Sequence, residues 1–327
     1  MSRTLVYCMF VLRVHQVLPE VTHNALNCGV PLGADNLQSD RIVGGYDVGY
    51  YRYPWFAALI RYNEVSCGGA LIGPRTVVTA AHCYKEFLTL ASKGDLKLES
   101  IYNVKLGVYN ICTTETIQRE YTIEKVEVHE LYNQKKPYYD ICLLTLANET
   151  HSFQPICLPQ SAIKNRPLDG YVPGLGTLRY KGAMPCTVHE ARLLIFNDSD
   201  CLNMLNKTGN DLKSFKNAFC AGYTQGGIDT CQGDSGGPLQ IQNEKGIYVL
   251  LGVVSYGFRC AAPGMLGIYT DVSKYLDWIQ EKSGLDAGVV NLIYNSTSPV
   301  TTRPTKASHK PKPQRRPLKK PIRIIIY

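Results

Sequence analysis

No apolar run in the sequence approaches the about 20 residues that a membrane-spanning helix needs, so a soluble product is expected, with no membrane span. Nor does any C-x-x-C pair occur among its twelve cysteines, which argues against a cysteine-based metal site. Internal repeats are missing as well, and with them the solenoid and propeller architectures. Acidic residues are absent from Ala287 to Tyr327, a stretch that carries nine Lys and Arg. The net charge of +8 therefore belongs to the tail, and subtracting those nine leaves the other 286 residues at −1. A single figure for charge would misdescribe this chain.

What is present fits a secreted globular protein. An apolar fraction of 45% over 327 residues supports a sizeable core, in one large domain or two small ones. Twelve cysteines are many for a reducing compartment and ordinary where disulfides persist. "LVYCMFVL", residues 5 to 12, follows Arg3 and has the length of a signal h-region. Arg13 and His15 follow at once without a small-x-small cleavage site, so residues 1–22 read as a weak signal peptide. Four N-x-S/T sequons, at Asn148, Asn197, Asn206 and Asn295, agree with an extracellular glycoprotein.

The body reads as β. Short apolar or alternating runs such as "WFAALIRY", "YTIEKVEVHE", "DICLLTL" and "GIYVLLGVVSY" are separated by Gly, Pro, Asn and Asp, which favours a barrel or sandwich. One helix is predicted near "TDVSKYLDWIQEKSG": Val272, Tyr275, Leu276 and Ile279 share a face, Thr270 or Asp271 caps it, and Gly284 stops it. Beyond it, "STSPVTTRPTKASHKPKPQRRPLKKP" has almost nothing to bury, and disorder is expected until "IRIIIY" turns apolar.

Three separated segments carry chemistry together. "VVTAAHCY" contains His82, "YYDICLLTL" contains Asp140 and "DTCQGDSGGPL" contains Ser235. A serine hydroxyl is a poor nucleophile at neutral pH. It needs an imidazole as base, and the imidazole needs a carboxylate to fix its tautomer and stabilise its charged form. With "RIVGG", "TAAHC", "DICLL", "CQGDSGGP" and "SYG…GIY" in this order, the chain resembles trypsin-like serine proteases of the chymotrypsin family, of arthropod type without a clip domain. The resemblance covers about residues 42 to 284.

It implies an all-β fold of two six-stranded antiparallel β-barrels with a C-terminal helix and a disordered basic tail. Residues 23–41 would be an activation peptide, 42–284 the peptidase domain and 285–327 the tail. His82, Asp140 and Ser235 would be catalytic, and the N–H groups of Gly233 and Ser235 would form the oxyanion hole. Cleavage after Arg41 by a trypsin-like activator would free the ammonium of Ile42 to pair with Asp234. Asp229 would select Arg or Lys before the cut bond, with Thr230 adding a hydroxyl. Gly257 and Gly267 would leave the pocket open, and Ser255, Tyr256 and Gly257 would pair with the substrate backbone.

The same pattern implies disulfides Cys28–Cys157, Cys67–Cys83, Cys201–Cys220 and Cys231–Cys260. Cys112 and Cys186 sit in loops expected to neighbour each other and are proposed as a further bridge. Gly170 and Ile241 stand where the family has another, Cys142 is left as a buried hydrophobe, and Cys8 goes with the signal. Val108 and Gln118 replace the usual calcium-loop glutamates, so no metal and no cofactor is expected. The long stretch after His82, "YKEFLTLASKGDLKLES", would rim the cleft, either restricting substrates or as a tolerated insertion.

Arg259 stands where the family keeps glycine. At roughly 10 Å from Asp229 and an effective dielectric near 20 its effect on an incoming cation is about 1 to 2 kcal/mol, enough to tune the pocket and not to abolish it. The outward pose is the default; the bolder reading folds the guanidinium onto Asp229 and shuts the resting enzyme. The function expected is a secreted serine endopeptidase made as a zymogen, performing limited proteolysis through an acyl-enzyme. The alternative is a catalytically idle or self-inhibited binding protein on the same scaffold. Expected partners are proteins with Arg or Lys before the cleaved bond, an activating protease and serpin-type or other inhibitors. The tail is either a labile extension or an arm for a polyanion. Nucleic acid is not expected for a secreted protease.

Overall fold

The computed structural model describes residues 28–32, 41–42, 45–49, 51–84, 101–133, 138–163, 165–207, 217–257, 259–285 and 325–326. Most of the signal and activation segments, the loop after Tyr84 and most of the tail lie outside these residues. So do Cys8 and Asn295.

Six strands close the first barrel: β3 (Phe56–Arg61), β4 (Glu64–Leu71), β5 (Thr76–Thr79), β6 (Tyr102–Leu106), β7 (Arg119–Val128) and β8 (Cys142–Leu146). Alternation decides which face each strand buries. In β6, Tyr102, Val104 and Leu106 are buried and the residues between them are not. Outer β7 is polar along most of its length and pairs with β8, which is almost wholly buried. β1 (Arg41–Ile42) and β2 (Gly45–Asp47) form a hairpin that joins the second sheet through β10. That sheet holds β9 (Asp169–Gly174), β10 (His189–Ile195), β11 (Ala218–Gly222), β12 (Pro238–Gln242), β13 (Tyr248–Gly257) and β14 (Gly267–Asp271). Pairing of β9 with both β10 and β12 closes it into a second six-stranded antiparallel barrel.

β13 is buried over all ten residues because it runs between the two cores. Tyr248, Leu250 and Val253 pack with the first barrel, while Val249, Leu251 and Val254 pack with the second. The barrels are thereby packed against each other through one strand.

Five disulfides join Cys28–Cys157, Cys67–Cys83, Cys112–Cys186, Cys201–Cys220 and Cys231–Cys260. The third ties a loop of the first barrel to one of the second, beside a hydrogen bond from Ile111 N–H to the Cys186 carbonyl at 2.7 Å. The first holds the segment preceding Arg41 on the body, where Gly29 N–H donates to Pro155 and Gly29 accepts from Tyr248. Cys142 is free and buried, and burial followed by the charge of Asp140 pushes its thiol up, so it stays protonated.

Two expectations need correction. The single helix predicted from Val272 is two elements, a 3-10 turn Val272–Lys274 and a helix Leu276–Ser283. Asp271 caps the turn by accepting from Ser273 N–H, Thr270 is engaged elsewhere, and Gly284 ends the helix in the left-handed conformation. Nor is the whole tail without structure: β15 (Ile325–Ile326) pairs antiparallel with the end of β13.

Candidate active site

The site forms where both barrels present strand ends and turns. His82 lies in a 3-10 turn, Ala81–Tyr84, entered from β5 and tethered by Cys67–Cys83. Asp140 lies two residues before β8, the partner of β5, so two adjacent strands of the first barrel deliver imidazole and carboxylate together. Ser235 comes from the turn before β12 of the second barrel, and its carbonyl accepts from Gly68 N–H of β4 at 2.7 Å.

One chain of hydrogen bonds links them. His82 Nε2 stands 2.8 Å from Ser235 Oγ, and His82 Nδ1 stands 2.8 Å from Asp140 Oδ2. His82 N–H donates to Asp140 Oδ1 at 2.9 Å, which fixes the carboxylate plane to the backbone that carries the ring. Asp140 is buried at 1% exposure. Burial alone would raise its pKa, but the His82 charge and the hydrogen bonds from His82 and Ser255 outweigh it, holding the carboxyl below its ordinary value. The carboxylate thus stays ionised and Nδ1 keeps its proton, leaving Nε2 to accept one from Ser235.

Two supporting groups were not read from the sequence in this role. Ser255 Oγ donates to Asp140 Oδ2 at 2.5 Å, and Thr270 Oγ1 donates to the Asp140 carbonyl at 2.8 Å. They come from β13 and β14, over 100 residues along the chain, and lock the carboxylate of one barrel onto the other. Only the "SY" of "SYG" hinted at Ser255, and there as a backbone partner.

Beside Ser235 the backbone amides divide into two sets. Those of Asp234, Gly236 and Gly237 donate to the carbonyls of Cys231, Val254 and Asp234. Those of Gly233 and Ser235 make no hydrogen bond among the described residues, and both are free to receive an oxyanion. This turn needs its glycines: Gly233 has φ +100°, and a Cβ at Gly236 (φ +76°) would lie 2.1 Å from Thr79 Oγ1.

Asp229 lines a cavity together with Thr230, Cys231, Cys260 and Ala261. Its carboxylate accepts from Thr230 N–H at 2.9 Å and Ala261 N–H at 3.1 Å. Burial pushes it up to about 7, against the pull of those two amides. A Cβ at Gly267 would come 3.2 Å from Asp229 Oδ1, so any side chain there would intrude on the space before the carboxylate. Thr230 is buried with its hydroxyl 3.0 Å from Tyr269 OH. Arg259 is exposed, and no contact joins its guanidinium to Asp229 among the described residues; the inward pose is not the one adopted. Tyr256 and Gly257 are buried at the end of β13 and do not line this cavity.

Asp234 lines the same cavity, buried beneath Gly176 and Cys231, whose N–H groups donate to it at 2.8 and 2.9 Å. No cation reaches it among the described residues, and burial pushes its pKa up to about 6. Gly174 and Gly176 are the close walls: a Cβ on either would lie under 2.5 Å from a carboxylate oxygen. In this uncut chain Arg41 and Ile42 form β1, which pairs with Tyr46 and Gly45 of β2.

Among the described residues, the cluster of metal-ligating types is Cys67, His82 and Cys83, but the cysteines are bonded to each other and both ring nitrogens of His82 are engaged by the triad. In the loop expected to lack calcium, Glu115 itself accepts from the Tyr109 and Asn110 amides. Gly170 and Ile241 lie one residue from the Tyr171–Gln240 pairing of β9 and β12, the neighbouring geometry a bridge would require. No helix among the described residues is long and apolar enough to cross a membrane.

Comparison with known proteins agrees with this geometry. The family model described as Trypsin matches residues 42–279. Proclotting enzyme of Tachypleus tridentatus is 34% identical over 277 residues, covering 81% of this chain and 69% of its own. Clotting factor G beta subunit of the same species is 34% identical over 74% of this chain and 79% of its own. Human testisin (Homo sapiens) is 33% identical over 74% of this chain and 78% of its own. Two closed barrels, a hydrogen-bonded Asp–His–Ser chain across their cleft and a family match over the same residues lead to one conclusion: this chain belongs to the trypsin family and is a serine endopeptidase.

Proposed function

We propose that the protein is a secreted zymogen which, once cut after Arg41, cleaves proteins after Arg or Lys. The observation that carries the reading is the unbroken chain Ser255–Asp140–His82–Ser235, with two uncommitted amides beside the nucleophile. His82 Nε2 takes the Ser235 proton as Oγ bonds to the substrate carbonyl carbon, and the carbonyl oxygen becomes an oxyanion held by Gly233 and Ser235 N–H. Collapse of the tetrahedral species breaks the C–N bond, and His82 returns the proton to the leaving amine. Water then repeats the sequence on the acyl-enzyme, with His82 again the base, and releases the acid.

Asp229 supports selection of a cationic side chain. Its carboxylate accepts from two backbone donors and no cation reaches it among the described residues, so a guanidinium or ammonium would complete its neutralisation. Asp234 supports activation in the same way: a buried carboxylate beside a cavity is stabilised when a new α-ammonium enters. Five disulfides support an oxidising, extracellular location. The names of the two Tachypleus tridentatus relatives, a proclotting enzyme and a clotting factor subunit, favour limited proteolysis over digestion.

The test is to cut at Arg41 and assay peptide amides ending in Arg, Lys, Leu or Glu, with Ser235→Ala as control. Turnover confined to Arg and Lys, and lost in the control, is expected. A cut protein inactive on all four, or active on Leu or Glu, would refute the proposal.

A further inference from the structure

β13 changes neighbours near the nucleophile. From Tyr248 to Val253 it is flanked by β12, but β12 begins at Pro238, and the chain before it turns away into the loop of Ser235. Past Val254, whose carbonyl accepts from Gly236 N–H, β13 is held by β14 on one side and is no longer flanked by β12 on the other. That edge adjoins Ser235. Backbone groups along it need a partner strand, and this is where an extended substrate would add itself.

In the structure that edge is occupied by the chain itself. β15 pairs antiparallel with it, Ile326 opposite Tyr256 and Ile325 opposite Gly257. We propose that this C-terminal strand is a built-in competitive inhibitor, occupying the substrate-pairing edge of the cleft. The proposal rests on the protease reading for its functional consequence, though not for the pairing itself.

The register explains why the strand blocks the site and is not cut there. Tail numbers rise as β13 numbers fall, so Ile325 and Ile326 run antiparallel along the edge next to Ser255, the residue bonded to Asp140. Residues 324–327 are Ile, Ile, Ile and Tyr, none of them a cation for Asp229. Bound in this way, the segment covers the edge and leaves the selectivity carboxylate unsatisfied.

The connecting sequence is suited to survive near such an enzyme. Every proline after residue 300 directly follows a Lys or Arg: Arg303–Pro304, Lys310–Pro311, Lys312–Pro313, Arg316–Pro317 and Lys320–Pro321. Proline on the leaving side has a fixed φ and no N–H, which impedes its threading as a substrate strand. Five of the nine basic residues are shielded in this way, leaving Lys306, Arg315, Lys319 and Arg323 as points where proteolysis would shed the strand. Reach is no obstacle. Residues 286–324 separate the body from β15, and 40 steps of extended chain span about 130 Å, against a domain about 45 Å across. A ligand tethered by a linker long enough to span the distance has an effective concentration on the order of mM, so even weak strand pairing competes with substrate.

The experiment compares the full chain, a form lacking residues 322–327, and the double variant Ile325→Pro/Ile326→Pro, which removes both amides from the strand. Residues 37–41 are replaced by an enteropeptidase site so that activation leaves the tail uncut. First, in the Ser235→Ala background, hydrogen exchange at residues 255–257 is measured. Protection in the full chain, lost in both other forms, is expected; equal exchange in all three would overturn the proposal whatever their activity. Second, with Ser235 intact, KM for a tripeptidyl-Arg anilide should fall several-fold in both altered forms with kcat unchanged, and a peptide of residues 318–327 should inhibit the truncated form competitively. Unchanged KM in active enzymes would equally overturn the inhibitory role. Differential protection with no hydrolysis by any cut form would leave the pairing standing and defeat the protease reading instead.

Discussion

Asp229 offers a prediction whose size follows from the structure. Its carboxyl is raised to about 7 by burial, the two amide donors notwithstanding, and no cation reaches it among the described residues. A cationic ligand binds only the ionised form, so apparent affinity falls in proportion to the ionised fraction. With a pKa of about 7, affinity for benzamidine, a planar amidinium, should be about 11-fold weaker at pH 6 and about 100-fold weaker at pH 5 than its high-pH limit. The sign follows from the proton count: the free pocket holds a proton below pH 7 that the complex must release. Titration calorimetry in the Ser235→Ala protein isolates this from the chemistry. Buffers of different ionisation enthalpy should report close to one proton released per ligand at pH 5.5. Asp229→Asn should bind weakly at every pH and show no slope. Flat affinity between pH 5 and 8 with Asp229 intact would refute the reasoning, because it would mean the carboxylate is ionised without a partner.

Cutting after Arg41 should raise Tm more at pH 7.5 than at pH 4.5, since Asp234, raised to about 6 in the uncut chain, is charged and in need of the new ammonium only at the higher pH. Scanning calorimetry of cut and uncut protein checks this, and Asp234→Asn should abolish the difference. Ser255→Ala removes a 2.5 Å hydrogen bond to Asp140, and kcat for Arg amides should fall roughly 10-fold with little change in stability; an unchanged kcat would show that His82 alone holds the carboxylate. Replacing Cys112 and Cys186 together by serine should lower stability by up to about 4 kcal/mol, the chain-entropy limit for a separation of 74 residues, read as a drop in urea midpoint with steady-state kinetics little altered.

The grouping of His82, Asp140 and Ser235 was legible because they sit in short local motifs, "TAAHC", "DICLL" and "GDSGG", that each impose a turn or a strand. The two barrels followed from strand-length apolar runs punctuated by Gly and Pro. Long-range polar contacts left no such mark. Nothing local to Ser255 or Thr270 says that both hydroxyls converge on Asp140, because the convergence depends on how the second barrel's β13 and β14 meet the first. The break between the 3-10 turn and the final helix was hidden for a related reason: Val272, Tyr275, Leu276 and Ile279 keep a helical period through it, and Asp271 can cap either form. Composition pointed the tail toward disorder and could not show that its last apolar residues find a strand edge 70 residues back along the chain, from Ile326 to Tyr256.

The central claim is that Ser235 becomes an acylating nucleophile beside a pocket for positive charge. Active-site titration with a guanidinobenzoate ester tests it most directly, since a cationic acyl group should enter the Asp229 pocket and leave one equivalent of phenol per active chain. The account predicts a burst close to one equivalent after complete cleavage at Arg41, little in the uncut protein and none in Ser235→Ala. A fully cut, folded protein that gives no burst, or a burst that persists in Ser235→Ala, would contradict it.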